Sequence, residues 1–159
     1  VTRSHCTSKN AIEIIERNKL FKWLVNYNKE SFSIYYISRC YQTRHGNGPL
    51  NGEGKLKMEH LQGLEFETNV INDWQGQFRY APFYFPNLDY AIEIDSIYNE
   101  YLKPNRVKVI TCMDQIKNKI PVLEDNGNVK YLSHRQFTSE IGQNSFFTFD
   151  SSFKDYIKI

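Results

Sequence analysis

The segment Glu59-His60-Leu61-Gln62-Gly63 holds residue types able to do chemistry at a useful spacing. On a β-strand side chains alternate between faces, so His60 and Gln62 share one face. An imidazole nitrogen and an amide oxygen two residues apart can both ligate one divalent ion. A carboxylate, from a neighbouring strand or from Glu59, completes a hard, partly open site. Leu56, Met58, Leu64 and Phe66 have the same parity, so this face also reads as a core face carrying a hydrogen-bonded histidine.

A second set is acidic. Glu93 and Asp95 lie two residues apart in DYAIEID (89–95), and Asp89 stands at the turn before them. On a strand both carboxylates point one way and can hold one Mg²⁺ or Mn²⁺ ion. The alternative is an ordinary solvent face, with Tyr90, Ile92 and Ile94 turned inward. Smaller signals surround these two sets. His45, in a Gly-rich loop, reads as an acid–base group or as a solvated side chain. His134 and Arg135 follow a hairpin and read as surface residues or a phosphate contact. Lys22, Arg39 and Arg44, interleaved with Tyr and Phe, suit single-stranded bases stacking between cations.

These residues need elements to position them. Asn10 and Glu13 resemble a capping box, and Ile12, Ile15, Leu20, Trp23 and Leu24 extend a helical period over about 10–26. SFSIYYISRCYQ (31–42) reads as a strand. RHGNGPLNGEG (44–54) lacks the Lys-Ser/Thr of a phosphate loop and reads only as flexible. KLKMEHLQGLEFET (55–68) alternates as a strand, with Gly63 marking a bulge or close approach. QFRYAPFYF (77–85) and DYAIEID (89–95) read as strands joined at the turn PNLD. SIYNEYLK (96–103) reads as a short helix ended by Pro104. VKVITCM (107–113) is a further strand. IPVLEDNGNVKYLS (120–133) is a hairpin turning at Asp125-Asn126-Gly127-Asn128. Ser133 caps a helix opening with HRQFTSE, and the aromatic tail packs on the domain. The pattern predicts one α+β domain over 1–159. Its core is an antiparallel β-sheet of about six to seven strands, flanked by two or three helices.

Composition supports a globular chain. Of 159 residues, 40% are hydrophobic and 24% charged, near globular averages, so wholesale disorder is excluded. There are 15 Asn and only three Ala, a balance that favours strands over long helices. The net charge of +2 conceals segregation: +5 over residues 1–60, −6 over 61–102 and +3 over 103–159. Both candidate sets fall in or beside the negative middle. No apolar run reaches the ~18 residues of a membrane span, and the first residues lack the apolar stretch of a signal peptide. Cys6, Cys40 and Cys112 share no metal or disulfide motif, which points to a reducing, intracellular compartment. Oligomeric state is left open.

Several of these segments resemble a family. HLQG (60–63) resembles the second motif of HUH-type replication initiators, in the His-x-Gln form of circovirus-like and nanovirus-like Rep proteins. FKWLVNYN (21–28) is similar to their first motif, an aromatic-rich strand ending in Asn. DYAIEIDSIYNEYLK (89–103) is similar to the stretch leading into their third motif, where a helix carries a Tyr and a Lys. The segments follow the family's order over 21–103.

The resemblance implies a ferredoxin-like sheet and a divalent metal, Mg²⁺ or Mn²⁺, on His60 and Gln62. It implies Tyr101 or Tyr98 as nucleophile on a DNA phosphodiester, with Lys103 as helper. It further implies a viral or plasmid origin, with the host cytoplasm or nucleus as location. Residues 78–95 resemble the core of PD-(D/E)xK nucleases, with Glu93 and Asp95 as the metal-binding acids. The expected function is a metal-dependent endonuclease acting on nucleic acid. The non-catalytic alternative is a nucleic-acid-binding or protein-interaction module.

Overall fold

A computed structural model describes residues 8–18, 32–63, 71, 73–74, 76–97, 104–148 and 156–158. The described elements are α1 (Lys9–Arg17), β1 (Ser33–Arg39), β2 (Gln42–Arg44), β3 (Arg79–Ala81), α2 (Phe85–Ser96) and β4 (Asn105–Thr111). They continue with β5 (Ile120–Leu123), β6 (Val129–Leu132), α3 (His134–Ile141), β7 (Ser145–Thr148) and β8 (Tyr156–Lys158). Single 3-10 turns occupy Met58–His60 and Met113–Gln115.

The sheet differs from the expected single antiparallel one. Its order is β1-β4-β7-β8, beside two separate antiparallel pairs, β2–β3 and β5–β6. β4 and β7 run parallel, with Val109 opposite Phe146, and only β7–β8 is antiparallel. β1 and β4 also run the same way, since Asn105 N donates to Phe32 O and Cys40 N to Thr111 O. The physical reason lies in the connections. Parallel neighbours need long crossovers, and dozens of residues separate β1 from β4 and β4 from β7. Strand-by-strand periodicity carries no information about that pairing.

The chain divides into two compact units. One comprises residues 1–36 and 87–107, the other 37–86 and 108–159. In the first unit, α1 buries Ile12 and leaves Ile14 exposed. It ends at Arg17, because Asn18 is extended (φ −87°, ψ 109°), earlier than the expected 26. Its first turn is not held by an Asn10–Glu13 box. Ser8 is the cap residue, and its amide donates to Asp95 Oδ1 at 2.6 Å.

The expected strand at 89–95 is helix α2. Pro86 sits in the first helical turn, where no intrahelical amide is required, so PNLD opens a helix instead of closing a hairpin. Leu88, Ile92, Asp95 and Ser96 form the more covered side at helical spacing, while Tyr90 and Ile94 are exposed.

In the second unit the core gathers Tyr41, Ala81, Phe83, Ile110, Met113, Ile120, Val122, Phe137 and Phe147, all nearly inaccessible. Phe83 meets Phe85 and Phe137 edge-on at 5.0 Å each, the arrangement ring quadrupoles favour. The β5–β6 hairpin forms in the expected place, with Ile120 opposite Leu132 and Gly127 at φ 83° in its turn. α3 starts where expected: Gln136 N donates to Ser133 Oγ while the Gln136 side chain accepts from Ser133 N. Among the described residues no helix is long and apolar enough to cross a membrane.

Candidate functional site

The Gly-rich segment 44–54 is gripped by two arginines. In the β2–β3 ladder Arg44 lies directly opposite Arg79, a like-charge pair that repels. Each guanidinium turns instead to carbonyl oxygens of the loop. Arg79 donates to Gly46 O at 2.7 Å and Gly48 O at 3.0 Å, and it pairs with the Glu53 carboxylate through both Nε and Nη2. Arg44 donates to Asn47 O at 3.0 Å. Hydrogen bonds from Arg79 hold the Glu53 carboxyl below its usual range and raise the guanidinium in turn. Lys55 reaches Gly127 O and ties the loop's end to the β5–β6 turn. A segment that composition marks as flexible thus has its carbonyls held.

A polar cavity of about 250 Å³ opens beside this loop, lined by Gly46, Asn47, Asp73, Trp74, Gly76, Gln77 and Arg79. The Trp74 side chain is 95% exposed at its rim. Positive φ at Gly46 (70°) and Gly76 (64°) turns the backbone on both sides of the cavity, which a side chain at either position would strain. The arrangement offers a flat indole face, two amide side chains able to donate and accept, a carboxylate and the edge of a held guanidinium.

His45 and Phe78, next in sequence to the cavity residues Gly46 and Gln77, belong to an aromatic–cation stack. His45 lies against Phe78 with ring centroids 5.1 Å apart. The Arg39 guanidinium sits 5.4 Å from the Phe78 ring centre and 5.7 Å from that of Tyr41. Arg39 Nη1 donates to the Tyr41 hydroxyl at 2.9 Å, and that hydroxyl donates to Gln115 Oε1 at 2.5 Å. Burial pushes the Tyr41 phenol up to about 12, although Arg39 pulls it the other way.

The residues singled out from sequence land in different places. His60 ends a 3-10 turn, and its ring packs 5.6 Å from Tyr131. Its Nδ1 is buried without a hydrogen-bond partner among the described residues. Of the strand expected over 55–68, residues 55–63 form no strand because that turn breaks the alternation, and 64–68 lie outside the described residues. Leu56 and Leu61, five apart, go inward, and only Leu61 bridges to Ile116. Gln62 is exposed and donates its amide to Asp114 O at 2.6 Å. Glu59 is exposed and lies 3.8 Å from Lys57. His60, Gln62 and Glu59 therefore do not converge. Among the described residues no three His, Cys, Asp or Glu gather to hold a metal ion.

Glu93 and Asp95 also part company. Two positions on a helix are about 200° apart, so the shared face of the strand reading is lost. Asp95 is buried, accepting from Ser8 N at 2.6 Å and from the Tyr36 hydroxyl at 2.8 Å, while Glu93 and Asp89 are exposed. Arg39 and Arg44 are engaged as described, and His134 opens α3. Lys22, Tyr98, Tyr101 and Lys103 lie outside the described residues, as does the FKWLVNYN segment.

Sequence reasoning missed Trp74, Asn47, Gln77 and Arg79. A usable signal was present. INDWQGQ (71–77) flanks one large aromatic on both sides with Asn, Asp, Gln and Gly, a loop composition that places the indole in a surface turn. Comparison with protein-family models, curated proteins and solved structures finds no significant match to this chain.

Proposed function

We propose that this protein binds single-stranded nucleic acid at the cavity beside Trp74. The observation that carries the reading is a 95% exposed indole on the rim of a polar cavity of about 250 Å³. An exposed indole gains free energy when its face is covered by a flat partner, and a nucleobase supplies one. Asn47 and Gln77 suit the mixed donor–acceptor edge of an unpaired base, which a duplex hides. Cleavage draws no support from the acids, because Glu93 and Asp95 face apart and Asp95 is committed to Ser8 and Tyr36.

The test is fluorescence titration with oligo-dT, a matching duplex and a neutral oligosaccharide, each in Mn²⁺ and in EDTA. The expected result is saturable quenching by the single strand only, equal in both buffers and weakened by salt. Base stacking contributes about 1–3 kcal/mol, so Trp74→Ala weakens binding about 5- to 150-fold. Equal affinity for the oligosaccharide, or unchanged binding by Trp74→Ala, overturns the reading. Metal-dependent strand cleavage lost in His60→Ala, or a covalent DNA adduct on Tyr98 or Tyr101, replaces it with the endonuclease.

A further inference from the structure

Two cysteines of the second unit follow the ends of neighbouring parallel strands. Cys40 directly follows β1, and Cys112 directly follows β4. Cys40 N donates to Thr111 O at 3.0 Å, which sets the two chain ends one inter-strand spacing apart. That spacing is about 4.8 Å, inside the Cα–Cα window of about 4.4–6.8 Å that a disulfide spans. The Cys40 thiol donates to Cys112 O at 3.0 Å, so its sulfur already lies against the backbone of the other cysteine. Cys112 has φ 60° and ψ 31°, a left-handed conformation uncommon for a residue with a side chain. Both thiols are reduced in the structure, Cys40 buried and Cys112 partly exposed.

We propose that Cys40 and Cys112 form a reversible redox site that closes to an intramolecular disulfide on reaction with a small disulfide oxidant of the glutathione class. The order of events follows from access. The partly exposed Cys112, as thiolate, attacks the oxidant's sulfur, forms a mixed disulfide and releases one small thiolate. Cys40 then loses its proton to solvent and attacks the Cys112 sulfur, releasing the second small thiolate. Two protein thiols are oxidised and one small disulfide is reduced to two thiols. Burial holds the Cys40 thiol well above its usual range, which makes the second step the slow one. Closing the bond joins residues 72 apart in the chain. It acts next to Tyr41, and its readout is thiol chemistry, scored separately from oligonucleotide binding.

The experiment uses the full chain with Cys6→Ser, so that only these two thiols count. The folded protein is incubated with glutathione disulfide, quenched in acid and examined by thiol titration, intact mass and peptide mapping. The expected result is loss of both thiols, a monomer lighter by two hydrogens and a cross-linked peptide pair containing Cys40 and Cys112. Adding Cys40→Ser leaves glutathione on Cys112, and adding Cys112→Ser leaves Cys40 unmodified. A mixed disulfide persisting on Cys112 with Cys40 present overturns the proposal. So do a bond between two chains, a cross-link formed only in denaturant, and retention of both thiols.

Discussion

Asp95 gives the sharpest test of the reassignment from strand to helix. It is 4% exposed, and its carboxylate accepts from Ser8 N at 2.6 Å and Tyr36 Oη at 2.8 Å. Hydrogen bonds to a charged group contribute about 1.5–3 kcal/mol, and an anion at a helix N-terminus adds about 0.3–1 kcal/mol. Asp95→Asn keeps the shape, an acceptor oxygen for Ser8 N and an amide that donates to the rotatable Tyr36 hydroxyl, so it loses the charge-dependent part, about 1–2 kcal/mol. For a chain of this length that is a fall in Tm of about 2–8 °C. Asp95→Ala leaves two partly buried donors without this acceptor and costs about 2–5 kcal/mol. Urea denaturation of Asp95→Asn, Tyr36→Phe and the double variant isolates the shared bond, with an expected coupling of about 1 kcal/mol. An additive cycle, or an Asn variant as stable as the parent, refutes the buried-anchor role. A metal-ligand role gives a different pattern: Mn²⁺ then raises the Tm of the parent and not of Asp95→Asn, whereas the anchor role leaves both unmoved.

Two further outcomes follow from the local chemistry. Ser133→Ala removes the acceptor that closes the α3 capping box and lowers stability by about 1 kcal/mol, while Ser133→Gly loses only a few tenths; urea midpoints distinguish them. Glu53 has its carboxyl held below the ordinary 4.5 by Arg79, so its contribution to the loop is complete above that value and is lost as pH falls through the lowered one. Oligonucleotide binding, corrected for ligand protonation, is therefore expected to fall only below about pH 4.5, and Glu53→Gln removes that step.

The sequence by itself determined the elements whose signals are local. Asp125-Asn126-Gly127-Asn128 between two apolar runs yields the β5–β6 hairpin, because Gly127 accepts the positive φ that such a turn demands. Ser133 and Gln136 fix the start of α3 because each satisfies the other's orphan amide three residues away. β1 and β4 declare themselves as strands through aromatic and β-branched runs, whereas β7 reads only as part of an aromatic tail.

What tertiary structure alone decided is everything requiring a partner from afar. The parallel order β1-β4-β7 is set by crossovers whose packing no window of sequence contains. DYAIEID satisfies a period of two as well as a period near 3.6. Its choice of helix rests on Pro86 in the first turn and on the donors waiting for Asp95 at Ser8 and Tyr36. His60 and Gln62 share a face on a strand, and here a 3-10 turn over Met58–His60 ends at His60 in place of that strand. The Trp74 cavity exists because Arg44 and Arg79, 35 residues apart in the chain, meet across one ladder and both seek the carbonyls of the same loop. Chemistry at a site depends on convergence in space, and residue type and spacing specify convergence only within the element that carries them.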